Sequence, residues 1–140
     1  MRYYLDTNIV VYSIFDKHKG DNLDKSTLSI LEDYGNTFLI SSIAVLETIH
    51  LFQIGKVKHP KFQKVKDVLN AMELINYVID PANKYHLSAY CNLYLSDEHK
   101  DPFDHVIIAQ SISDKIPIIS SDRQFKFYEK QGLQLVFNKR

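Results

Sequence analysis

Cysteine is nearly missing from this chain of 140 residues: Cys91 stands alone, so no disulfide can form within it, and the six histidines have no cysteine partner at zinc-site spacing. A reducing compartment fits that composition. Net charge is also missing, because seventeen Lys and Arg offset seventeen Asp and Glu. That balance excludes the broad positive field that draws a protein to polyanions non-specifically, and leaves such contact to a local patch. Long apolar runs are absent as well. No stretch approaches the roughly 18 apolar residues of a membrane-spanning helix, and Asp6 interrupts the N-terminal segment where a signal peptide needs an apolar run. The expectation is a cytoplasmic protein that does not engage a membrane. With no repeat, low-complexity tract or dividing linker, residues 1–140 are expected to form a single domain.

What the chain does have is an alternation of short apolar runs and helix-length amphipathic segments, the pattern of parallel strands joined by helical crossovers. Strands are expected at 2–5, 37–41, 74–79, 116–120 and 133–137. Runs such as Ile116-Pro117-Ile118-Ile119 suit strands covered on both faces. Gly35, Gly55 and Gly132 each follow a periodic segment, where glycine accommodates a left-handed helix terminus. Pro60 and Pro102 stand where a helix can begin. The expected fold is α/β, a three-layer sandwich around a central parallel sheet.

Four carboxylates resist a purely structural reading. Asp6 follows the first strand, and in open parallel sheets ligands bind outside the carboxyl ends of strands. In a helix over 42–54, Glu47 shares a face with Ile43, Leu46, His50 and Ile54, which puts a carboxylate inside an apolar stripe. Asp104 lies in the first turn of a helix that Asp101 caps and Pro102 opens, on the face of Ile107, Ile108 and Ser111. Asp122 follows the strand 116–120. Taken singly, each acid has an ordinary role: Asp6 and Asp122 as helix caps, Asp104 as a first-turn acid facing the helix dipole, Glu47 as half of a buried pair with a lysine. Together they converge, because strand ends and helix starts meet on one edge of such a sheet. Four carboxylates there repel one another unless a cation is present. Hard oxygen donors suit Mg²⁺ or Mn²⁺, which also bind and polarise phosphate oxygens, so the implied chemistry is phosphodiester hydrolysis.

At these residues the sequence resembles the PIN-domain family, and specifically the VapC-type ribonucleases of bacterial toxin–antitoxin pairs. Four segments carry the likeness in order: Leu5-Asp6-Thr7-Asn8, Ser41-Ser42-Ile43-Ala44-Val45-Leu46-Glu47, His99-Lys100-Asp101-Pro102-Phe103-Asp104, and Ser120-Ser121-Asp122-Arg123-Gln124-Phe125. The resemblance implies a five-stranded parallel sheet (PIN-like). It also implies an acidic quartet of Asp6, Glu47, Asp104 and Asp122 that binds Mg²⁺ or Mn²⁺ and cleaves RNA, with Asn8 and Asp101 as neighbours of undefined role. By the same resemblance the protein is a homodimer silenced by a cognate antitoxin protein. The chain departs from many relatives in carrying His105 after the third acid, and over Met72–Asp80.

Two further features weigh less. Lys56, Lys58, His59, Lys61, Lys64 and Lys66, with Phe62 among them, form the densest basic stretch. They read as a solvated helix face or as a track for an RNA backbone. Tyr85, Tyr90 and Tyr94 read as core and rim. A haloacid-dehalogenase-like phosphatase needs an acid where Asn8 stands, and a phospho-accepting receiver domain needs a lysine that Ser120-Ser121-Asp122 does not supply. A non-catalytic RNA- or protein-binding module on the same fold is expected to have lost carboxylates that are all present here.

Overall fold

The computed structural model describes residues 1–140. Its elements in chain order are β1 (Arg2–Leu5), α1 (Thr7–Phe15), α2 (Lys25–Glu32), β2 (Thr37–Ser41), α3 (Ser42–Gln53), α4 (Val65–Leu74), β3 (Val78–Asp80), α5 (Lys84–Cys91), α6 (Pro102–Asp114), β4 (Ile118–Ser120), a 3₁₀-helical segment Arg123–Gln131, and β5 (Leu135–Phe137). The five strands form one sheet in the order β3-β2-β1-β4-β5, every neighbouring pair parallel. Successive strand residues point to opposite faces. Tyr3, Tyr4 and Leu5 are all buried, as are Ile118, Ile119 and Ser120, so helices cover the sheet on both sides and the expected three-layer sandwich is realised.

Strand order places the site. From β1 the chain winds outward through β2 to β3, then returns to the other side of β1 as β4 and β5. The carboxyl ends of β1 and β4 therefore flank the point where winding reverses, which opens a crevice in sheets of this kind. Asp6 follows β1 directly and Ser121-Asp122 follow β4. Helix starts are fixed by the side chains expected to fix them. Asp6 accepts from Thr7 N to cap α1, and Asp101 accepts from Phe103 N to cap α6, with Pro102 in its first turn.

A second anchor sits under the sheet. The buried Tyr4 hydroxyl contacts the carboxylates of Asp80 and Asp114, and His86 Nε2 lies 2.9 Å from both Asp114 oxygens. His86 Nδ1 accepts from Asn83 N at 3.0 Å, so its proton resides on Nε2 and is donated to Asp114. These bonds clasp β1, β3, α5 and α6 together. They also leave no free imidazole lone pair for a metal, although Asp80, His86 and Asp114 gather there.

Several sequence expectations are corrected. The third strand is Val78–Asp80 rather than 74–79: Leu74 ends α4, and Asn76 turns the chain with φ at 59°. Pro60 opens no helix, because α4 begins at Val65, after Asp67 has taken the N–H groups of Gln63 and Lys64. Gly55 and Gly132 do adopt positive φ. Gly35 instead lies in a turn after α2, its N–H bound by Asp33 Oδ1 at 2.8 Å. Of the three tyrosines read as core and rim, Tyr85 and Tyr94 are exposed and Tyr90 half-buried, so they form rim and none is core.

Candidate active site

Asp6 is the most constrained acid. It is 2% exposed. Its Oδ1 accepts from Thr7 N at 2.7 Å, and its Oδ2 accepts from Asn8 Nδ2 at 2.7 Å and from Ser120 Oγ at 2.6 Å. Burial, followed by the charge of Asp104, pushes its pKa from 3.8 to about 7 against the pull of those hydrogen bonds. Asn8 closes the loop by accepting from Ser121 N at 3.2 Å. Asn8 and Ser120 thus bolt the end of β1 to the end of β4.

Glu47 comes from α3 and accepts from Thr7 Oγ1 at 3.1 Å. Burial, together with the charges of Asp101 and Asp6, raises it to about 7 while the Thr7 bond opposes. The residue was expected, but not its surroundings. Leu46, His50 and Ile54 are exposed, and the buried face of α3 carries Ala44, Val45 and Thr48. Glu47 lies at the margin of the packed face, where its carboxylate reaches Thr7.

Asp104, in the first turn of α6, is raised to about 7 by burial and then by Asp101, Glu47 and Asp122. Asp122 caps the 3₁₀ segment through Gln124 N at 2.9 Å, and its own N–H is held by Ser120 Oγ at 3.0 Å. It is a cap and a member of the cluster at once. Asp101 stays exposed as the cap of α6, contributing charge to Asp104 and Glu47 rather than a side chain to the centre.

Three residues that sequence reasoning did not nominate complete the site. Thr7 and Ser120 hold Glu47 and Asp6. His99 is 2% exposed and places Nε2 2.9 Å from Asp104 Oδ2. The ligand-type atoms of His99, Asp104 and Asp122 all lie within 4.8 Å of one another, and His99 Nδ1 is buried with no partner. The only signal for His99 was its place at the head of the segment ending in Asp104. His105 turns inward. It is buried, bonds the His99 carbonyl through Nε2 at 2.8 Å and packs edge-on to the His99 ring at 4.7 Å, and burial lowers its pKa.

The lysine-rich stretch lies away from this edge. Residues 55–64 form an irregular loop rather than a helix face, and Phe62 packs on Phe15 with ring centroids 5.3 Å apart. Phe15 ends α1, whose other end Asp6 caps; nine helical residues put roughly 13 Å between them.

A parallel α/β sheet with buried acids at its switch point defines the class of protein. The family model of the PIN domain matches residues 3–131, and the chain belongs to that family. No curated protein matches the sequence. Among solved structures, the chain is similar to VapBC2 from Rickettsia felis bound to a promoter DNA fragment: 21% identity, 99% of this chain and 100% of that one, TM-score 0.63. It is likewise similar to DNA-bound VapBC from Salmonella typhimurium, with 15% identity, 98% of each chain and TM-score 0.67. A third match is VapBC-5 from Mycobacterium tuberculosis, a member of a family of toxin–antitoxin systems, with 13% identity, 99% of this chain, 98% of that one and TM-score 0.62.

Proposed function

We propose that this chain is a divalent-metal-dependent endoribonuclease and the toxin of a toxin–antitoxin pair, working in the cytoplasm as a homodimer held silent by a cognate antitoxin. One observation carries the catalytic part: Asp6, Glu47 and Asp104, from three different elements, are each raised to about 7 by burial and by one another's charge. Such a set either keeps protons or exchanges them for a cation. Its donors are hard oxygens, a fit for Mg²⁺ or Mn²⁺, with Asp6, Glu47, Asp104 and Asp122 as the residues that hold the ion. Membership of the PIN family and likeness to toxin–antitoxin complexes support the biological role.

A divalent ion held by these acids would supply charge stabilisation at the phosphate and a more acidic water at neutral pH. The chain's own residues supply order. Ser120 and Asn8 fix the Asp6 carboxylate, Thr7 fixes Glu47, and His99 donates to Asp104, so the acids keep their geometry before substrate arrives. With water as nucleophile, the products carry 5′-phosphate and 3′-hydroxyl ends. The test is to incubate the protein with a mixed RNA pool in Mg²⁺, Mn²⁺ or EDTA and map the new ends. Discrete cuts with 5′-phosphates, lost in EDTA, are expected. Cutting that persists in EDTA, or none with either ion on several pools, overturns the reading.

His99 acts in this scheme as a positioning residue. His99→Ala is expected to weaken Mn²⁺ binding, read by electron paramagnetic resonance, by 10- to 100-fold, and His99→Gln, which keeps a donor, to recover part of it. Unchanged Mn²⁺ affinity in His99→Ala means that the ring only packs.

A further inference from the structure

A cavity of about 960 Å³ opens beside the carboxylates and not over them. Asn8 and Asp122 form the wall it shares with the site. The rest of its lining carries Arg123, Lys126, Lys139 and Arg140, with Asp122 the only acid among them. A chain of zero net charge thus gathers four cations in one groove next to its most acidic point.

These cations are free of anionic partners. The sole ion pair in the protein that uses Lys or Arg is Lys19 with Glu32. Two of the four are instead held over aromatic rings. Lys126 Nζ sits 4.2 Å from the centroid of Phe137, and the Arg140 guanidinium lies over Tyr12 while donating to its hydroxyl at 2.7 Å. Contacts of this type orient a cation without neutralising it. The backbone beneath is fixed too: buried Asn138 donates to Asn22 O and Ser121 Oγ, both at 2.8 Å or less, and Lys139 N donates to Asp24 Oδ2 at 2.7 Å. Preset, unpaired positive charges on a rigid wall are what a phosphate chain requires.

We infer that this groove is the substrate rail of the protein, in which Arg123, Lys126, Lys139 and Arg140 grip the phosphate backbone of a single RNA strand and feed it past Asn8 to the carboxylates. The inference rests on the nuclease reading for the identity of its ligand. The groove's volume admits a few nucleotides of one strand and not a duplex, and its charges offset the repulsion that an acidic quartet exerts on a phosphodiester. It also reassigns the basic patch: the rail is discontinuous in sequence, contributed by the 3₁₀ segment and the residues after β5, rather than the lysine-rich loop 55–64.

The experiment measures binding of a fluorescent single-stranded RNA oligomer by anisotropy in EDTA, across a salt series, so that affinity is read without cleavage. Lys126→Ala, Lys139→Ala and Arg140→Ala, singly and combined, are compared with Lys58→Ala/Lys61→Ala in the loop, with thermal melts confirming that each variant folds. Each lost phosphate contact is expected to flatten the slope of log K against log[salt] by about 0.7. The triple variant is expected to bind at least about tenfold more weakly at low salt, with the loop variant equal to wild type. Wild-type slopes in the groove variants, or loss in the loop variant alone, overturn the assignment. Duplex RNA binding as tightly as the single strand overturns the single-strand rail. DNA of the same length binding as tightly as RNA overturns the choice of RNA, and displacement by a glutamate-rich peptide at equal concentration shifts the groove to an acidic protein segment. RNA that binds with the expected slopes yet is never cut with either metal sinks the nuclease and leaves the rail, whereas RNA that is cut normally by groove variants with unaltered slopes does the reverse.

Discussion

Asp104→Asn is expected to reduce RNA cleavage by at least about a hundredfold while leaving the protein folded and, at pH 8 in EDTA, harder to melt than wild type. The activity loss follows from the ligand set: the amide is neutral, holds a divalent ion poorly, and removes charge stabilisation worth several kcal/mol at the phosphate. The gain in stability follows from the same chemistry read backwards. Asp104 is buried beside Asp101, Glu47 and Asp122, so its ionised form costs folding energy that an amide of the same shape does not incur. The amide oxygen still accepts from His99, which keeps the local packing. Single-turnover cleavage and thermal melts of the two proteins check both halves. Cleavage within a few-fold of wild type removes Asp104 from the catalytic set, and a lower melting temperature at pH 8 contradicts the account of its burial.

Without metal, the protein is expected to lose stability as pH rises from 5 to 8, and divalent ion is expected to restore it. Asp6 and Asp104 move from 3.8, and Glu47 from 4.5, to about 7 on folding, so between those values the folded state holds more protons than the unfolded one. Their stabilising contribution is complete below about pH 4 and disappears as pH passes through 7. For the fully buried Asp6 alone the loss is on the order of 4 kcal/mol; partial exposure of Asp104 and Glu47 makes their shares smaller. Asp67 is lowered by N–H groups of Lys64 and Gln63, and in Asp24 burial is outweighed by bonds from Thr27 and Lys139. Both act in the opposite sense, but only near and below pH 4, outside this window; His105, lowered from 6.5 by burial, opposes within it, one group against three. Mn²⁺ at a hundred times its pH 8 dissociation constant adds about 2.7 kcal/mol at that pH, and the same concentration adds less at pH 5, where protons compete for the ligands. Melting curves in EDTA and in Mn²⁺ at pH 5, 6.5 and 8 test this. A metal-free melting temperature that is flat or rising over that range contradicts it.

The elements that carry the candidate acids were legible in the sequence because strand ends and helix starts carry short-range signals in proline, caps and apolar runs. Glu47 shows the limit of that reasoning. Helix α3 is apolar nearly all round, from Ile43 to Phe52, so periodicity alone does not choose its inner face, which contact with α1, α4 and α6 decides. The run from Met72 to Ile79 was ambiguous for a related reason, since a helix end and a buried strand share composition. Thr7, Ser120 and His99 were invisible as site residues because their roles arise only from folding: Thr7 meets a helix 40 positions on, and Ser120 meets Asp6 across 114. The basic groove was hidden the same way. Its cations are scattered along the last part of the chain and look unremarkable beside the compact run of lysines near residue 60.

That bond between Ser120 and Asp6 also sets a clock for the cell. Because the ends of β1 and β4 build the two halves of one site, a ribosome delivers the first half and then translates 114 further positions before the second exists, an interval on the order of ten seconds at ordinary elongation rates. No nascent fragment short of β4 carries all four acids, so on the proposed reading a product that stops before that strand is expected to be inactive.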